Sequence, residues 1–481
     1  MNNDDIKTME SMHSYGIGYI GQGASYGFMS TYFVLFLTNS VMLSSSAAAA
    51  ISSAALLLEV FMGMLVGNLS DSCTSAMGRR RPFMMAAGIL ILPIMTALFM
   101  TVPFKGAASI GYYLFFGMLF RVIFSTFEIP NQAFGAEMAS GYDERTRLRT
   151  ATRIFSIIGN GTGYLLPLLV LELFGDDVKG GWWTTGILIG LICLFSWEFS
   201  VIANRGKGVI LRKEDAVKHG NRAGEIVKNY GELIKLRTGK LLVLYKAAFS
   251  CAYALFNVAT IYYLKYSAGL DNKFMSYMYI ITVIVFLIVT PVINAMAIRL
   301  GKVTQQMISL GLTGIIAVIV FLLGPGTIWG TAAYMGFFAF TQTGFWQISS
   351  AIFYDVIEVD EWVNNKRREG DLMSMVSVLG TLISAITVQV FGFILDASGF
   401  DASLQTQGSH VAPILNVSFI LIPGIFLILG ALVLKVFPIN KKTFGSLKSA
   451  LEARRKGEDY SEYMDDVNSI LRKNVPERDE K

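Results

Sequence analysis

The sequence predicts an all-α integral membrane protein, and two observations support this. Hydrophobic residues make up 53% of the 481 residues and charged residues only 16%, with a mean hydropathy of +0.52, whereas soluble domains carry about 25% charged residues. Apolar stretches of roughly 20 residues, long enough for a helix to cross the hydrocarbon core of a bilayer, recur along the chain. Twelve transmembrane helices are predicted, with centres near Tyr26, Leu58, Leu92, Arg121, Leu165, Ile192, Leu255, Val285, Ile315, Phe337, Leu382 and Ile425.

The loops between these spans predict the orientation and the domains. Lys and Arg are concentrated in alternate loops, which the positive-inside rule places in the cytoplasm together with the N and C termini. The longest polar loop separates two sets of six spans, the layout of the major facilitator architecture, in which substrate binds near the midplane between the two halves. The predicted domains are an N-terminal six-helix bundle (1–204), a cytoplasmic central loop (205–240), a C-terminal six-helix bundle (241–440) and a cytoplasmic tail (441–481).

Several classes of function are excluded by composition and motifs. The net charge of +5 arises from loop residues, so it does not indicate nucleic-acid binding. The three cysteines and three histidines are too scattered for a disulfide framework or a metal site. No His-Glu-x-x-His or Gly-x-Ser-x-Gly motif lies at membrane depth, so no enzyme is expected. The acidic start lacks the basic region of a signal peptide, and the first span is expected to remain in the mature protein.

Two charged residues lie deep within predicted spans and are candidates for ion coupling. Glu59 is the lone carboxylate of the second span, and Gly63 and Gly67 follow at i+4 and i+8 on a face that can approach another helix. Arg121 lies about twelve residues into the fourth span, roughly mid-bilayer. Both spans run from outside to inside, which makes a Glu59–Arg121 pair plausible. The alternatives are a protonated, hydrogen-bonded Glu59 and an Arg121 that contacts substrate in an aqueous cavity.

A second candidate site combines opposite charges near the kink of the fourth span. Glu128 precedes Pro130, and Arg153 lies early in the fifth span. A carboxylate and a guanidinium that converge on a cavity suit sugar hydroxyls, although a structural salt bridge is the alternative. Trp346 could stack on a sugar face or simply pack. Four other charged residues are placed near span ends, where side chains extend to the interface: Glu198, Lys246, Lys265 and Asp396.

Two inner loops contain specific motifs. The loop at 70–83 has Ser-Asp followed by Gly-Arg-Arg-Arg-Pro-Phe, and the loop at 142–153 has Tyr-Asp-Glu-Arg-Thr. These motifs, with further matches over nearly the whole chain, resemble the signatures of the glycoside–pentoside–hexuronide:cation symporter family. The resemblance implies a major facilitator fold and glycoside import driven by Na⁺, Li⁺ or H⁺. The inner loops are expected to gate the cytoplasmic mouth, to fix topology, or both, through Asp71, Arg79, Arg80, Arg81, Asp143, Glu144 and Arg145.

The resemblance also implies substrate-binding positions. The matching ones are Glu128, Arg153 and Trp346. On the first helix, Gln22 and Gly23 stand where the family has a Lys-Asp pair, and on the eleventh helix Thr381 stands in place of the usual lysine. Recognition of a melibiose-like sugar is therefore expected to be incomplete, and the substrate need not be a simple galactoside.

The cation site that the resemblance implies departs further from the family's pattern than the substrate site does. Glu59 matches the second acid of the family's cation motif and Ser125 its hydroxyl ligand, but Ala55 replaces the first acid. Arg121 stands where the family has a small residue. Na⁺ needs several oxygen ligands, and this set supplies few. We expect that Na⁺ coupling is lost, either because Glu59 carries a proton or because Arg121 replaces the ion and leaves a uniporter or exchanger.

The sequence thus predicts a multi-pass secondary transporter of the cytoplasmic membrane that moves a glycoside or related sugar by alternating access. It is expected to act as a monomer in the lipid bilayer, with no metal, no cofactor, and H⁺ as the coupling ion if there is one. The main alternative is a same-fold carrier of a lipid, drug or other amphipathic solute, which the lost charges of the first helix favour. A non-transporting membrane sensor would need a larger soluble output domain than the tail offers.

Overall fold

The computed structural model of the chain describes residues 3–138, 142–207, 223–366, 368–404 and 406–471. These residues form helices joined by loops, and no β-strand occurs among them. Two π-helical turns interrupt longer helices, at Tyr263–Ser267 and Val417–Leu421. In chain order the α-helices are α1 (Asn3–Asn39), α2 (Ser45–Asp71), α3 (Arg81–Leu98), α4 (Ala107–Met138), α5 (Tyr142–Phe174), α6 (Val178–Ala203), α7 (Ala223–Lys235), α8 (Arg237–Tyr262), α9 (Asn272–Leu300), α10 (Lys302–Leu323), α11 (Ile328–Asn364), α12 (Glu369–Ala397), α13 (Val411–Asn416), α14 (Ile422–Lys435), α15 (Lys441–Lys456) and α16 (Met464–Leu471).

Each of the twelve predicted span centres lies within one of these helices. Among the described residues, ten helical segments are long and apolar enough to cross a membrane, counting α13 and α14 as one segment, Val411–Lys435. The predicted centres outside these ten are Tyr26 in α1 and Phe337 in α11, two helices of 37 residues each. Helix α11 buries polar side chains such as Thr341 and Gln342, which reduce its apolar content. The chain is therefore a helical, multi-pass membrane protein.

The chain forms two compact units. The first contains Met1–Gly220, Ala254–Leu287 and Ser384–Phe419, and the second contains Asn221–Tyr253, Ile288–Ile383 and Ile420–Lys481. Boundaries between the units fall inside α8, α9 and α12. The predicted division into bundles at 1–204 and 241–440 stays a prediction.

Helices α1 and α5 of the first unit pack with their backbones almost in contact, which small residues allow. A Cβ atom at Gly23 would lie 2.7 Å from the carbonyl oxygen of Ser156. On the α5 side, a Cβ atom at Gly159 would collide with the carbonyl oxygen of Ile20. A larger side chain at Gly23 therefore requires the two helices to move apart.

One end of the first unit is fastened by contacts between α2 and α12. Asp396, near the end of α12, accepts hydrogen bonds from the backbone amides of Ser45 (2.7 Å) and Ser46 (2.9 Å). Farther along α2, the Ser53 hydroxyl donates to the carbonyl of Ala385 (2.7 Å). A carboxylate is favoured at a helix N-terminus, where amides lack partners and the helix dipole is positive. Asp396, near the end of α12 as predicted, therefore caps the start of α2.

In the second unit, helix α7 occupies part of the predicted central loop and contacts the start of α12. The Asn229 side chain donates to the carboxylate of Asp371 (2.6 Å). Arg368, which precedes α12, forms an ion pair with Glu232 of α7. The hydrogen bond from Arg368 holds the pKa of the Glu232 carboxyl below its usual range. Residues 208–222 of the predicted loop lie outside the described part of the chain.

The predicted amphipathic helix of the tail is confirmed as α15. Asn440 caps its N-terminus with its side-chain oxygen, and Leu447 on its inner face is buried. Arg455 at the other end forms an ion pair with Glu361 of α11. The tail helix is thus attached to the second unit, and residues 472–481 lie beyond the described residues.

Candidate functional site

The intramembrane charges of α2 and α4 form an ion pair, as the sequence makes plausible. Arg121 Nη1 lies 2.7 Å from Glu59 Oε2, and the two side chains are 6% and 19% exposed. The glycine face of α2 explains the approach of the helices. Cβ atoms at Gly63 and Gly67 would lie 3.9 and 3.8 Å from Ile129 of α4. The pairing of Glu59 with Arg121 is therefore confirmed, which leaves its role in transport as a prediction.

The free-energy cost of an unpaired buried charge explains why Glu59 and Arg121 occur as a pair. The effective cost of burying one ion is several kcal/mol, and removing one partner of a buried pair costs about 3–5 kcal/mol. The Arg121 guanidinium carbon lies 5.6 Å from the centre of the Phe120 ring, a contact that adds a small attraction. Glu59 supplies the neutralising charge, so the pair is the main reason that Arg121 is tolerated at this depth.

The position of Arg121 affects the cation site that the resemblance implies. Arg121 binds one of the carboxylate oxygens that a metal ion would need. Ser125, one turn farther along α4, is 1% exposed, and Ala55 of α2 is equally buried and supplies no ligand. Among the described residues, no group of three or more His, Cys, Asp or Glu side chains could hold a metal ion. A guanidinium is thus bound to the carboxylate that the resemblance implies as a cation ligand.

Glu128 on α4 is held by two glutamine side chains. Its Oε1 atom accepts hydrogen bonds from Gln22 of α1 (2.9 Å) and from Gln132 one turn along α4 (3.2 Å). Within the described residues, Arg153 is not among its donors, so the structural salt bridge between Glu128 and Arg153 is not seen. Gln22, which replaces a charged residue of the family, therefore serves as a neutral donor to this carboxylate. Its own Oε1 atom has no hydrogen-bond partner among these residues.

A cavity of about 420 Å³ lies next to this hydrogen-bonded group. Ligand sites in proteins typically have volumes of about 300–1,000 Å³, and this cavity falls within that range. The residues that line it belong to α1, α4 and α5: Tyr15, Tyr19, Gln132, Gly135, Leu148, Arg149 and Thr152. Tyr19, Gln132 and Arg149 were not predicted from the sequence as substrate-site residues. Helical spacing was the available signal, because Gln132 follows Glu128 by four residues and Arg149 precedes Arg153 by four.

In the second unit, the predicted substrate residue Trp346 lies beside a buried lysine. The Trp346 side chain is 46% exposed, whereas Lys246 is 9% exposed. Lys246 is the tenth residue of α8, well inside the span, so the prediction that it lies near a span end and extends to the interface is wrong. Thr381 donates to the backbone of Ser377 within α12 (3.2 Å). Gly380, the residue before it, contacts Lys246. The second unit therefore has a buried cation on α8, and Thr381 on α12 is neutral.

The predicted gate residues that the structure describes bind partners within the first unit. Arg79 Nε donates to Glu137 at the end of α4 (2.7 Å), and Arg80 bridges Glu137 (2.9 Å) and Asp71 (3.1 Å). Arg81 donates to the backbone carbonyl of Val201 on α6 (3.0 Å). This network ties the loop between α2 and α3 to α4 and α6. Glu137, which the sequence analysis did not single out, is its central acceptor.

Three other predicted gate residues lie in the first turn of α5, at Asp143, Glu144 and Arg145. Their side chains lie outside the described residues. Their part in a cytoplasmic gate stays a prediction.

The fold is shared with known transporters. A solved D-xylose–proton symporter superposes with a TM-score of 0.63 at 15% identity, covering 89% of this chain and 97% of that one. This likeness shows a major facilitator type of helical fold.

Sequence relatives extend over most of the chain. A lactose permease from Lactobacillus delbrueckii subsp. bulgaricus is 22% identical over 91% of this chain and 71% of its own length. The glucuronide carrier protein homolog of Escherichia coli (strain K12) is 23% identical over 83% of this chain and 85% of its own length. Residues 14–441 match the family described as MFS/sugar transport protein. The chain is thus a member of the MFS/sugar transport family, a transporter and not an enzyme.

Proposed function

We propose that the protein carries a glycoside or related sugar across the cytoplasmic membrane by alternating access, as a monomer with twelve spans and both termini in the cytoplasm. Family membership and the printed functions of its relatives support transport of a sugar. Basic residues at Arg79–Arg81 and in the segment 205–240 support the orientation. With this orientation, the contact of Asp396 with the start of α2 lies at the outer end of the first unit.

The observation that carries the substrate assignment is the hydrogen-bonded group around Glu128. Gln132, which donates to Glu128, lines the neighbouring cavity together with Tyr19. The Oε1 atom of Gln22, the other donor, has no hydrogen-bond partner among the described residues. Arg149 adds a guanidinium at the same cavity. Sugars need several donors and acceptors in fixed geometry, and hydrogen bonds with charged groups are the strong ones. An apolar solute would form no hydrogen bond with the polar side chains that line the cavity.

We also propose that transport does not require Na⁺. The Glu59–Arg121 pair, at 2.7 Å, supports this because the guanidinium replaces the ion's charge and takes a carboxylate oxygen. With Glu59 paired, Glu128 is the carboxyl in this region whose described donors are neutral amides. If transport is coupled to an ion, we propose that the ion is a proton that binds Glu128.

The test begins with a thermal-shift screen of the purified protein against a library of glycosides. A sugar that stabilises the protein is then used for uptake into proteoliposomes with an imposed Na⁺ gradient, an imposed proton gradient, or neither. We expect sugar uptake that is unchanged by the Na⁺ gradient. Clear Na⁺-stimulated uptake would overturn the proposal on the ion, and the absence of any bound or transported glycoside would overturn the proposal on the substrate.

A further inference from the structure

Lys246 is a buried cation that the described residues do not neutralise. It lies ten residues into α8, and its side chain is 9% exposed. In the part of the chain that the structure describes, its partners are aromatic rings, with no carboxylate in salt-bridge range. A charged group at such a depth is costly and is a candidate functional residue by default.

The aromatic contacts hold the ammonium in place without cancelling its charge. Lys246 Nζ lies 4.9 Å from the centre of the Phe345 ring and 5.2 Å from that of Trp346. Cation–π attraction offsets only part of the hydration that a buried ammonium loses. The site therefore retains a net positive charge and would gain from an anion that binds there.

Helix α12 leaves space for this lysine at Gly380. A Cβ atom at Gly380 would lie 2.5 Å from Lys246 Cε and 3.2 Å from Nζ. Any larger residue at this position would displace the end of the lysine side chain. The position of the ammonium is thus set by two aromatic rings on α11 and a glycine on α12.

An aromatic ring that suits a sugar lies next to the ammonium. Trp346 is 46% exposed, so part of its ring is available to the apolar face of a pyranose. Lys246 Nζ lies 5.2 Å from the centre of this ring. A half-exposed aromatic face and a cation therefore occur together.

We propose that Lys246 binds the anionic group of the transported sugar, so that the preferred substrates are glycosides that carry a carboxylate or a sulfonate. This inference rests on the proposed sugar transport and narrows its substrate class. The anion would form a charge-assisted hydrogen bond with the ammonium and supply the charge that no described side chain supplies. Trp346 would then hold the sugar ring, and Lys246 would determine specificity.

The experiment compares sugars that differ only in charge. Binding is measured calorimetrically for 4-nitrophenyl β-D-glucoside and 4-nitrophenyl β-D-glucuronide, and for the matching galactoside and galacturonide, with initial uptake into proteoliposomes as the second readout. The variants are Lys246→Met, which removes the charge at similar volume, and Lys246→Arg, which keeps it. The control is Lys265→Met, because Lys265 lies on the π-helical extension of α8 and also contacts a ring, that of Tyr266 at 5.0 Å, but is exposed.

We expect the wild-type protein to bind at least one acidic sugar about tenfold or more tightly than its neutral partner, the size of a hydrogen bond to a charged group. Lys246→Met should remove this preference and leave neutral sugars unaffected, whereas Lys246→Arg and Lys265→Met should keep it. A wild-type protein that prefers neutral sugars would overturn the inference without any variant having to fold. Equal losses for both sugars in Lys246→Met would also overturn it. If no glycoside of either kind binds, the proposed function fails as well, so the two failures are distinguishable.

Discussion

Arg121 and Lys246 are two buried cations in spanning helices, and they differ in how their charge is compensated. Arg121, in the first unit, forms an ion pair with Glu59 at 2.7 Å. Lys246, in the second unit, has aromatic rings at about 5 Å and no described acidic partner. Burial is similar, at 5% and 9% exposure. Burial alone therefore does not decide the role of a charge, whereas the partner of the charge does.

This difference indicates which of the two cations can bind an anionic ligand. A cation that is already paired with a carboxylate gains little binding energy from an anionic substrate. An uncompensated one gains a full charge-assisted interaction. We therefore propose that Arg121 replaces a coupling ion and that Lys246 recognises the substrate.

The largest expected effect comes from removing Arg121 alone. Arg121→Met leaves Glu59 as an uncompensated buried carboxylate and should lower the free energy of unfolding by about 3–5 kcal/mol. Chemical unfolding in detergent checks this at neutral pH. A loss below about 1 kcal/mol, the value of an exposed pair, would show that the pair is solvated and would break the comparison.

The second prediction removes both members of the pair. The double variant Glu59→Gln/Arg121→Met should recover most of the stability lost in Arg121→Met, since replacing a buried pair by neutral groups is often nearly neutral. Glu59→Gln alone completes the cycle. Additive losses in the double variant would indicate that the two side chains are not coupled.

A smaller effect, on transport and not on stability, is expected for Glu128. Its carboxylate accepts hydrogen bonds from two neutral side chains, Gln22 and Gln132. Glu128→Gln should lower sugar affinity by roughly tenfold or more, the size of one lost hydrogen bond to a charged group. Sugar binding by calorimetry measures this, and Glu172→Gln, an exposed residue near the end of α5, is the matched control. If Glu128→Gln unfolds the protein instead, its carboxylate has a structural role.

The smallest effect on stability is expected for Lys246→Met. Removing an uncompensated ammonium and adding an apolar side chain of similar length should leave the unfolding midpoint unchanged or raise it. Thermal unfolding in detergent tests this sign. A marked decrease in the unfolding midpoint would mean that the cation–π contacts stabilise the fold. Lys246 would then be compensated by its partners, as Arg121 is.

The sequence made the Glu59–Arg121 pair plausible but did not indicate the buried position of Lys246, for a physical reason. Arg121 and Glu59 lie at countable depths in two spans that run in the same direction, so their approach follows from helix rise. Lys246 was assigned to a span end because the apolar segment was centred at Leu255. Helix α8 in fact begins at Arg237, which places Lys246 well inside it.

Tertiary contacts account for the remaining differences. The sequence placed Asp396 near a helix end, which is correct, but its partner at the start of α2 lies 351 residues away along the chain. Likewise, hydrogen-bond chemistry predicted that Glu128 binds polar groups, but not that Gln22 and Gln132 would be its donors. Helix spans, loop charges and the tail helix follow from local patterns, whereas the choice of partner depends on how helices face one another.

The contact at Gly23 has a consequence for engineering the substrate range. A designer who wished to restore the acid that related symporters carry at this position would find no room for it, because a single Cβ atom already collides with α5. An acid at position 23 would need compensating substitutions on α1 and α5 at the same time. A library built one substitution at a time would therefore not recover it. An acid at position 23 is therefore not accessible by a single substitution that keeps the present packing of α1 on α5.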